Sequence, residues 1–315
     1  MKSRTAVIAL GGNAITQPNQ EDTIANQFAN TRRSLDVIVE LARDGFHLVI
    51  THGNGPQVGN ALLRVELARG KAPILPLGVL VGDTEGGMGY MIEQSLQNRL
   101  RTENINRQVL TVITQIIVDE HDPAVANPTK FIGQFYTEDD ARLFEKARGW
   151  QMKKDTDRGW RRVVPSPIPL KVVEAETIRN LVDSGVIVIA GGGGGIPVYV
   201  DQRGLLEGMD AVIDKDLGSA LLGREIGADI LSILTSVDNV SLGFGTADPK
   251  PLETCTLSEI KKHYADGQFP AGSMAPKILA AIKFLENGGE MVTISSFTNA
   301  RAAVNGHAGT RIMPD

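Results

Sequence analysis

Ala6-Val-Ile-Ala-Leu10 is an unbroken apolar run, and Gly11-Gly12-Asn13-Ala14 follows it at once. A short Val/Ile-rich stretch with apolar residues at consecutive positions reads as a strand covered on both faces, the mark of a parallel sheet. The pattern recurs at His47 to Thr51, Val109 to Val118, Val186 to Ala190, Ile230 to Thr235 and Met291 to Ile294. Between these runs the apolar residues adopt near-helical spacing. They are Ile24, Phe28, Leu35, Ile38, Val39 and Leu41, then Met88, Met91, Ile92, Leu96 and Leu100, then Ile278, Leu279, Ile282 and Leu285. Strand alternating with helix predicts an α/β chain, a mostly parallel central sheet with helices on both faces. Gly45, Gly185 and Gly288 stand where such helices would end.

A chain of 315 residues can hold two small domains or one large α/β unit. Its 42% hydrophobic and 22% charged residues are ordinary for a globular protein. Thirty-two Lys and Arg against 37 Asp and Glu leave a net charge of −5, so no general basic field exists to hold a nucleic-acid backbone. Neither a nucleic-acid nor a membrane partner is expected, since no apolar run approaches the ~18 residues that span a bilayer. Met1-Lys-Ser-Arg4 and the apolar run after it imitate a signal peptide. That run stops at Gly11 after about five residues, short of the ~7 to 15 an h-region needs. The single cysteine, Cys255, cannot form an internal disulfide, and five scattered histidines make no Cys/His zinc site. A reducing cytoplasm fits this composition best.

One segment departs from the rest. From Glu138 to Arg162, 14 of 25 residues are charged, and both tryptophans, Trp150 and Trp160, fall inside it. Residues 120–170 are expected to project from the sheet as a small subdomain, because so polar a stretch cannot lie in the core. A charged surface loop without a role is the alternative.

Glycine clusters follow three of the apolar runs. Gly11-Gly12-Asn13 can close backbone N–H groups and a side-chain amide on one anion, though a tight turn would read the same. His52-Gly53-Asn54-Gly55-Pro56 opens a helix, whose N-terminus is an anion site. Gly191 to Gly195 are five consecutive glycines whose backbone entropy argues for a close approach to a phosphate or to other backbone. None of the three is a dinucleotide fingerprint or a Walker loop. Lysines stand in unusual settings at Pro128-Thr-Lys130, Ala211-Val-Ile-Asp-Lys215-Asp216 and Gly272-Ser-Met-Ala-Pro-Lys277. Lys215 stands out, since an apolar run precedes it and acids flank it. Asp119-Glu120-His121-Asp122 reads as a solvated turn, because four adjacent residues cannot all face one ion. Glycine loops, several lysines and no convincing general base suggest phosphoryl transfer to an acceptor that is already an anion.

These motifs, together with Arg161-Arg-Val-Val-Pro165, Leu234-Thr-Ser-Val-Asp238 and Ala308-Gly-Thr-Arg311, resemble in their order the carbamate kinases of the amino-acid kinase family. The resemblance implies a single domain, a three-layer αβα sandwich. About residues 1–205 would form a lobe binding carbamate or carbamoyl phosphate, and about 206–315 a lobe binding ATP or ADP with Mg²⁺, usually in a homodimer. Lys130, Lys215 and Asp216 would be catalytic. Gly11, Gly12, Asn13, Gly53, Asn54, Gly55, Gly192 and Gly193 would bind the acceptor and the phosphoryl group. Asp210, Lys215, Thr235, Val237, Asp238, Met274 and Lys277 would line the nucleotide pocket. Three places depart from the commonest pattern: Phe131 stands for proline, Gly243 for asparagine, and Asp83-Thr-Glu-Gly-Gly87 replaces the usual loop. A sister kinase for another small acid or phosphonate, and a silent nucleotide-binding partner of a carbamoyltransferase, remain as alternatives.

Overall fold

The computed structural model describes residues 3–17, 20–155, 158–246, 248–270 and 272–315. Its central sheet has eight strands among the described residues, ordered Thr254–Thr256, Thr310–Met313, Met291–Ser296, Ile230–Thr235, Thr5–Leu10, His47–His52, Ile187–Ile189 and Val109–Thr111. The last six are parallel. Direction reverses once, where Met291–Ser296 pairs antiparallel with Thr310–Met313.

Alternation along each strand divides the core in two. Val7, Ala9, Val49, Val188, Leu231 and Ile233 face one layer, with Ile178, Leu222, Ile278 and Phe284 from the helices Ala175–Asp183, Lys215–Ile226 and Met274–Glu286. Ala6, Ile8, Leu10, Leu48, Ile50, Ile187 and Ile189 face the other, with Ile38 and Leu41 of Asp36–Arg43 and Met88, Ile92 and Leu96 of Leu77–Thr102. A run apolar at every position is what two covered faces require. This is the α/β three-layer architecture expected from the sequence. Gly45, Gly185 and Gly288 follow three of the helices with φ between +87° and +97°, a conformation costly for a side chain.

Three expectations change. The run from Val109 to Val118 is two strands, Val109–Thr111 and Gln115–Ile117, the second pairing with Ile196–Val200 in a separate sheet. The pattern from Ile24 to Leu41 is two helices, Ile24–Ser34 and Asp36–Arg43, divided at Leu35. Asp83 to Gly87 is no loop but lies within the helix Leu77–Thr102.

In the projecting segment, Lys130–Tyr136, Trp160–Val164 and Gln151–Lys154 form an antiparallel sheet beside the helix Glu138–Arg148. Its charges stay at the surface, yet Ile132, Ala141, Trp150, Met152 and Val164 are buried in a core shared with Val58, Leu62, Leu80 and Val212. Guanidinium groups cover its rings, Arg142 over Trp160 at 4.5 Å and Arg162 over Trp150 at 4.8 Å. The segment is thus packed, with more core than its composition suggests. Among the described residues no helix is long and apolar enough to cross a membrane.

The helix Leu77–Thr102 tolerates its glycines for different reasons. A Cβ on Gly89 would stand 2.3 Å from Thr111 Cγ2, whereas one on Gly87 would meet nothing within 4 Å. Replacement of Gly87 by Ala should therefore stabilise the protein by about 0.5–1 kcal/mol. Gly89→Ala should destabilise it by about 1–3 kcal/mol through overpacking. Urea unfolding of the two variants checks the opposite signs; equal effects would mean that Gly89 does not set the approach of helix to strand.

Candidate active site

Parallel strands deliver their C-terminal ends to one side of the sheet, and the loops that follow them meet there. Leu10 leads into Gly11 and the short turn Gly12–Ala14, and His52 into Gly53 and the helix Gly55–Leu67. Ile189 leads to the glycine run, and Thr235 ends the strand Ile230–Thr235. The side chain of Asn13 lies outside the described part of the structure.

The glycines let these loops touch. A Cβ on Gly11 would stand 2.8 Å from the Leu234 carbonyl oxygen. One on Gly53 would meet the Gly12 backbone nitrogen at 3.5 Å and Cδ of Lys215 at 3.7 Å. On Gly192 it would collide with His52 Nε2 at 2.5 Å, and on Gly193 with Asn54 Nδ2 at 2.1 Å. The glycine run is therefore a close approach to other parts of the protein, and all five of its residues are buried. Among the described residues no acceptor takes the N–H groups of Gly12, Gly55, Gly192 or Gly193, which leaves these amides free for an anion.

The lysines converge on two carboxylates. Lys215 opens the helix Lys215–Ile226, and its Nζ donates to Asp216 Oδ1 at 2.5 Å. Lys277, in the first turn of Met274–Glu286, donates to Asp216 Oδ2 at 2.8 Å. Lys130, at the start of the projecting sheet, donates to Asp214 Oδ2 at 3.0 Å. Asp214 is also the N-cap of the Lys215 helix, accepting from the N–H groups of Asp216 and Leu217. Burial alone would raise the Asp216 carboxyl, but the Lys215 and Lys277 ammonium groups outweigh it and hold it below the usual carboxylate range. Lys215 is lowered, first by burial, against the pull of Asp216. Each ammonium has three donors and spends one on its carboxylate, which leaves the others for an incoming oxyanion.

Thr235, Val237 and Asp238 follow the Ile230 strand, and Asp238 accepts from Asn299 Nδ2 at 3.0 Å. Met274 begins the helix that carries Lys277. Asp210, implied for the nucleotide pocket, lies at the start of the helix Leu77–Thr102. Its Oδ1 accepts from the Leu77 N–H at 2.9 Å, so it satisfies the start of the helix Leu77–Thr102, and no described contact joins it to Lys215 or Lys277. Of the departures, Phe131 lies under the Arg161 guanidinium at 5.7 Å. Gly243 has φ +62°, a left-handed conformation that asparagine also accepts. Cys255 is buried, and burial with nearby Glu259 pushes its thiol up to about 11. In the sequence Asp214 reads as one of the acids flanking Lys215; its capping of the Lys215 helix and its bond to Lys130 appear only in the fold. Thr51 and Ser219 were missed: their hydroxyls meet at 2.6 Å beneath the site.

Residues 4–296 match the model of the amino acid kinase family, and the chain belongs to that family. Within it, carbamate kinases are among the curated relatives that match nearly the whole chain. The chain is 48% identical over 310 residues to the carbamate kinase of Pyrococcus horikoshii, covering 98% of each. It is 43% identical, again over 98% of each, to the carbamate kinase-like protein YahI of Escherichia coli. The solved carbamate kinase from Giardia lamblia bound to AMP-PNP superposes with a TM-score of 0.94 at 42% identity, over 100% of this chain and 99% of that one. The protein is an ATP-dependent kinase.

His52 yields a test of the site's packing. Burial holds its imidazole down to about 4, the Gly53 carbonyl opposing and Lys215 adding to the shift. The unfolded chain takes up this proton near pH 6.5, so between about 6.5 and 4 it binds more protons than the folded one. Stability should fall with pH across that window. His52→Gln should remove up to about 3 kcal/mol of that acid sensitivity, read as the wild-type minus variant difference in urea unfolding at pH 7 and pH 4.5. Parallel curves would mean that His52 is solvated.

Proposed function

We propose that the chain is a carbamate kinase, transferring a phosphoryl group reversibly between ATP and carbamate. In the ATP-forming direction a β-phosphate oxygen of ADP attacks the phosphorus of carbamoyl phosphate. The carbamate oxygen leaves with the bond's electron pair, and free carbamate breaks down to ammonia and CO2. The observation that carries the reading is the Lys215–Asp216–Lys277 bridge beside amides free for an anion, at the ends of parallel strands.

Charge stabilisation does the chemistry in this reading. Lys215 and Lys277 meet the negative charge on the phosphoryl oxygens, Asp216 orients both, and Lys130 adds a third cation from the projecting subdomain. Gly11, Gly12, Gly53, Asn54 and Gly55, with Gly192 and Gly193, frame the acceptor and the phosphoryl group. Thr235, Val237, Asp238 and Met274 line the nucleotide side. Carbamate is an anion near neutral pH, so no side chain has to remove a proton before attack. Among the described residues no group of three His, Cys, Asp or Glu is arranged to hold a metal. Asp214 and Asp216 are engaged by lysines. Mg²⁺ would therefore arrive on the nucleotide's phosphates, as part of the substrate.

The chain then divides into an acceptor lobe of about residues 1–205 and a nucleotide lobe of about 206–315. It works in the cytoplasm as a homodimer. Exposed Val79, Ile113 and Leu206, which line a hollow of about 630 Å³, support the dimer. A sister kinase for another small acid is the second reading, favoured by Phe131 and by the similarity to a carbamate kinase-like protein.

Purified protein with ADP and a panel of phosphoryl donors separates the two readings. ATP should form from carbamoyl phosphate and not from acetyl phosphate; the reverse preference would transfer the assignment to the sister kinase. In the same assay Lys215→Ala should lose a factor on the order of 10² to 10³ in kcat, as expected for one electrostatic stabiliser. A variant within about threefold of wild type would remove Lys215 from the chemistry. Replacement of His47, His121, His263 or His307 should not produce the drop of ~10² or more that marks a lost acid–base catalyst, and such a drop would require a general base.

A further inference from the structure

Asp83-Thr84-Glu85-Gly86-Gly87 differs from the usual family pattern, and the function described above gives it no part. Within the helix Leu77–Thr102, Thr84 and Glu85 are buried and face the loops of the site. Thr84 Oγ1 donates to the Val81 carbonyl and accepts from Asn54 Nδ2 at 2.9 Å. That fixes the side chain against which Gly193 packs. Glu85 acts on the other side. Its Oε2 accepts from the Thr114 N–H at 2.9 Å, in the bend where the chain leaves one sheet for the next.

Thr114 is fully buried and holds both ends of the glycine run. Its Oγ1 accepts from the Gly191 N–H at 2.9 Å while donating to the Val112 carbonyl, and its own carbonyl accepts from the Ile196 N–H at 2.8 Å. Glu85 also touches the run directly, since a Cβ on Gly192 would meet its Cγ at 3.0 Å. Its second oxygen, Oε1, is buried with no partner among the described residues. Burial, with Glu174 nearby, raises this carboxyl well above the ordinary range against the Thr114 N–H. Glu85 thus sits under the loop as the acceptor of the Thr114 N–H.

We propose that Glu85, acting through Thr114, is a positioning residue for the reaction: the pair clamps Gly191 and Ile196 so that the amides of Gly192 and Gly193 point at the phosphoryl group. The role rests on the phosphotransfer reading above. What matters in it is a hydrogen-bond acceptor at position 85 and a hydroxyl at position 114. Glu85→Gln and Thr114→Ser keep those groups, whereas Glu85→Leu and Thr114→Val remove them.

The four variants are compared with wild type by carbamoyl phosphate and ADP kinetics and by hydrogen exchange of peptides covering residues 189–197. Glu85→Leu and Thr114→Val should lower kcat at least tenfold, raise the KM for carbamoyl phosphate and leave that for ADP within about twofold, with faster exchange in the loop. Glu85→Gln and Thr114→Ser should retain kcat within about threefold of wild type and keep the loop protected. The proposal is overturned if the Leu and Val variants match wild type, if all four variants fall equally, or if both substrates' KM values rise together. A wild-type chain without turnover would overturn the phosphotransfer reading and this role with it. An active wild type with unaffected variants would sink the clamp alone.

Discussion

Three ammonium groups drawn to one side of a sheet repel one another, and Asp214 and Asp216 make the arrangement tolerable. Asp216 has one oxygen on each of two lysines that come from different helices, and all three side chains are largely sheltered from water. Loss of that carboxylate would leave two charges buried without compensation, a defect worth about 3–5 kcal/mol when a buried pair is broken. The positive end of the helix Lys215–Ile226 adds to the same field. Asp214 offsets it by capping that helix while it holds Lys130. Even so the balance remains positive, three cations to two anions, which suits a polyanion.

Backbone contact is the second constraint. A site made of amides works only if loops from distant strands come within van der Waals distance, and side chains prevent this. Gly11 beside Leu234, Gly53 beside Gly12, and Gly218 with its Cβ direction 2.8 Å from the Gly194 carbonyl each remove one obstacle. The five-glycine run is the extreme case. Gly191, Gly193, Gly194 and Gly195 all have φ between +61° and +100°, and its Cβ directions point at His52, Asn54, Ile213 and Ile116. Composition alone shows an excess of glycine; only the fold shows that most of it is spent on protein meeting protein.

Much of the architecture was legible because strands covered on both faces carry a strong local signal. Ala6 to Leu10 or Ile230 to Thr235 cannot easily be anything else. The bend at Thr114 was not legible, because Val109 to Val118 is rich in Val and Ile on both sides of Thr114-Gln115, and the Thr114 N–H is met at the bend by Glu85 from a distant helix. A loop at Asp83 to Gly87 is implied only by the family resemblance, and its neighbours Val81 and Met88 are buried in two different cores that hold it helical. At the site, Lys215 was visible from its setting between an apolar run and acids. Its partnership with Lys277, 62 positions away, depends on two helices packing side by side. Asp210 lies in the same acidic neighbourhood of the sequence as Asp214 and Asp216, yet the chain carries it to another helix end.

The sheet order also bears on how the chain is made. Among the described strands Thr5–Leu10 comes first in the sequence, and one of its edges is met early by His47–His52. The other edge pairs Ala6 with Ile230, so it stays open until most of the polypeptide has been synthesised. At bacterial or eukaryotic elongation rates that wait is on the order of tens of seconds. Throughout it, a mostly apolar strand offers unpaired N–H and C=O groups to any neighbour. A chain stalled before Ile230 would carry an unpaired edge at the centre of its sheet, so that Ile230–Thr235 is what closes the Thr5–Leu10 strand against unwanted pairing.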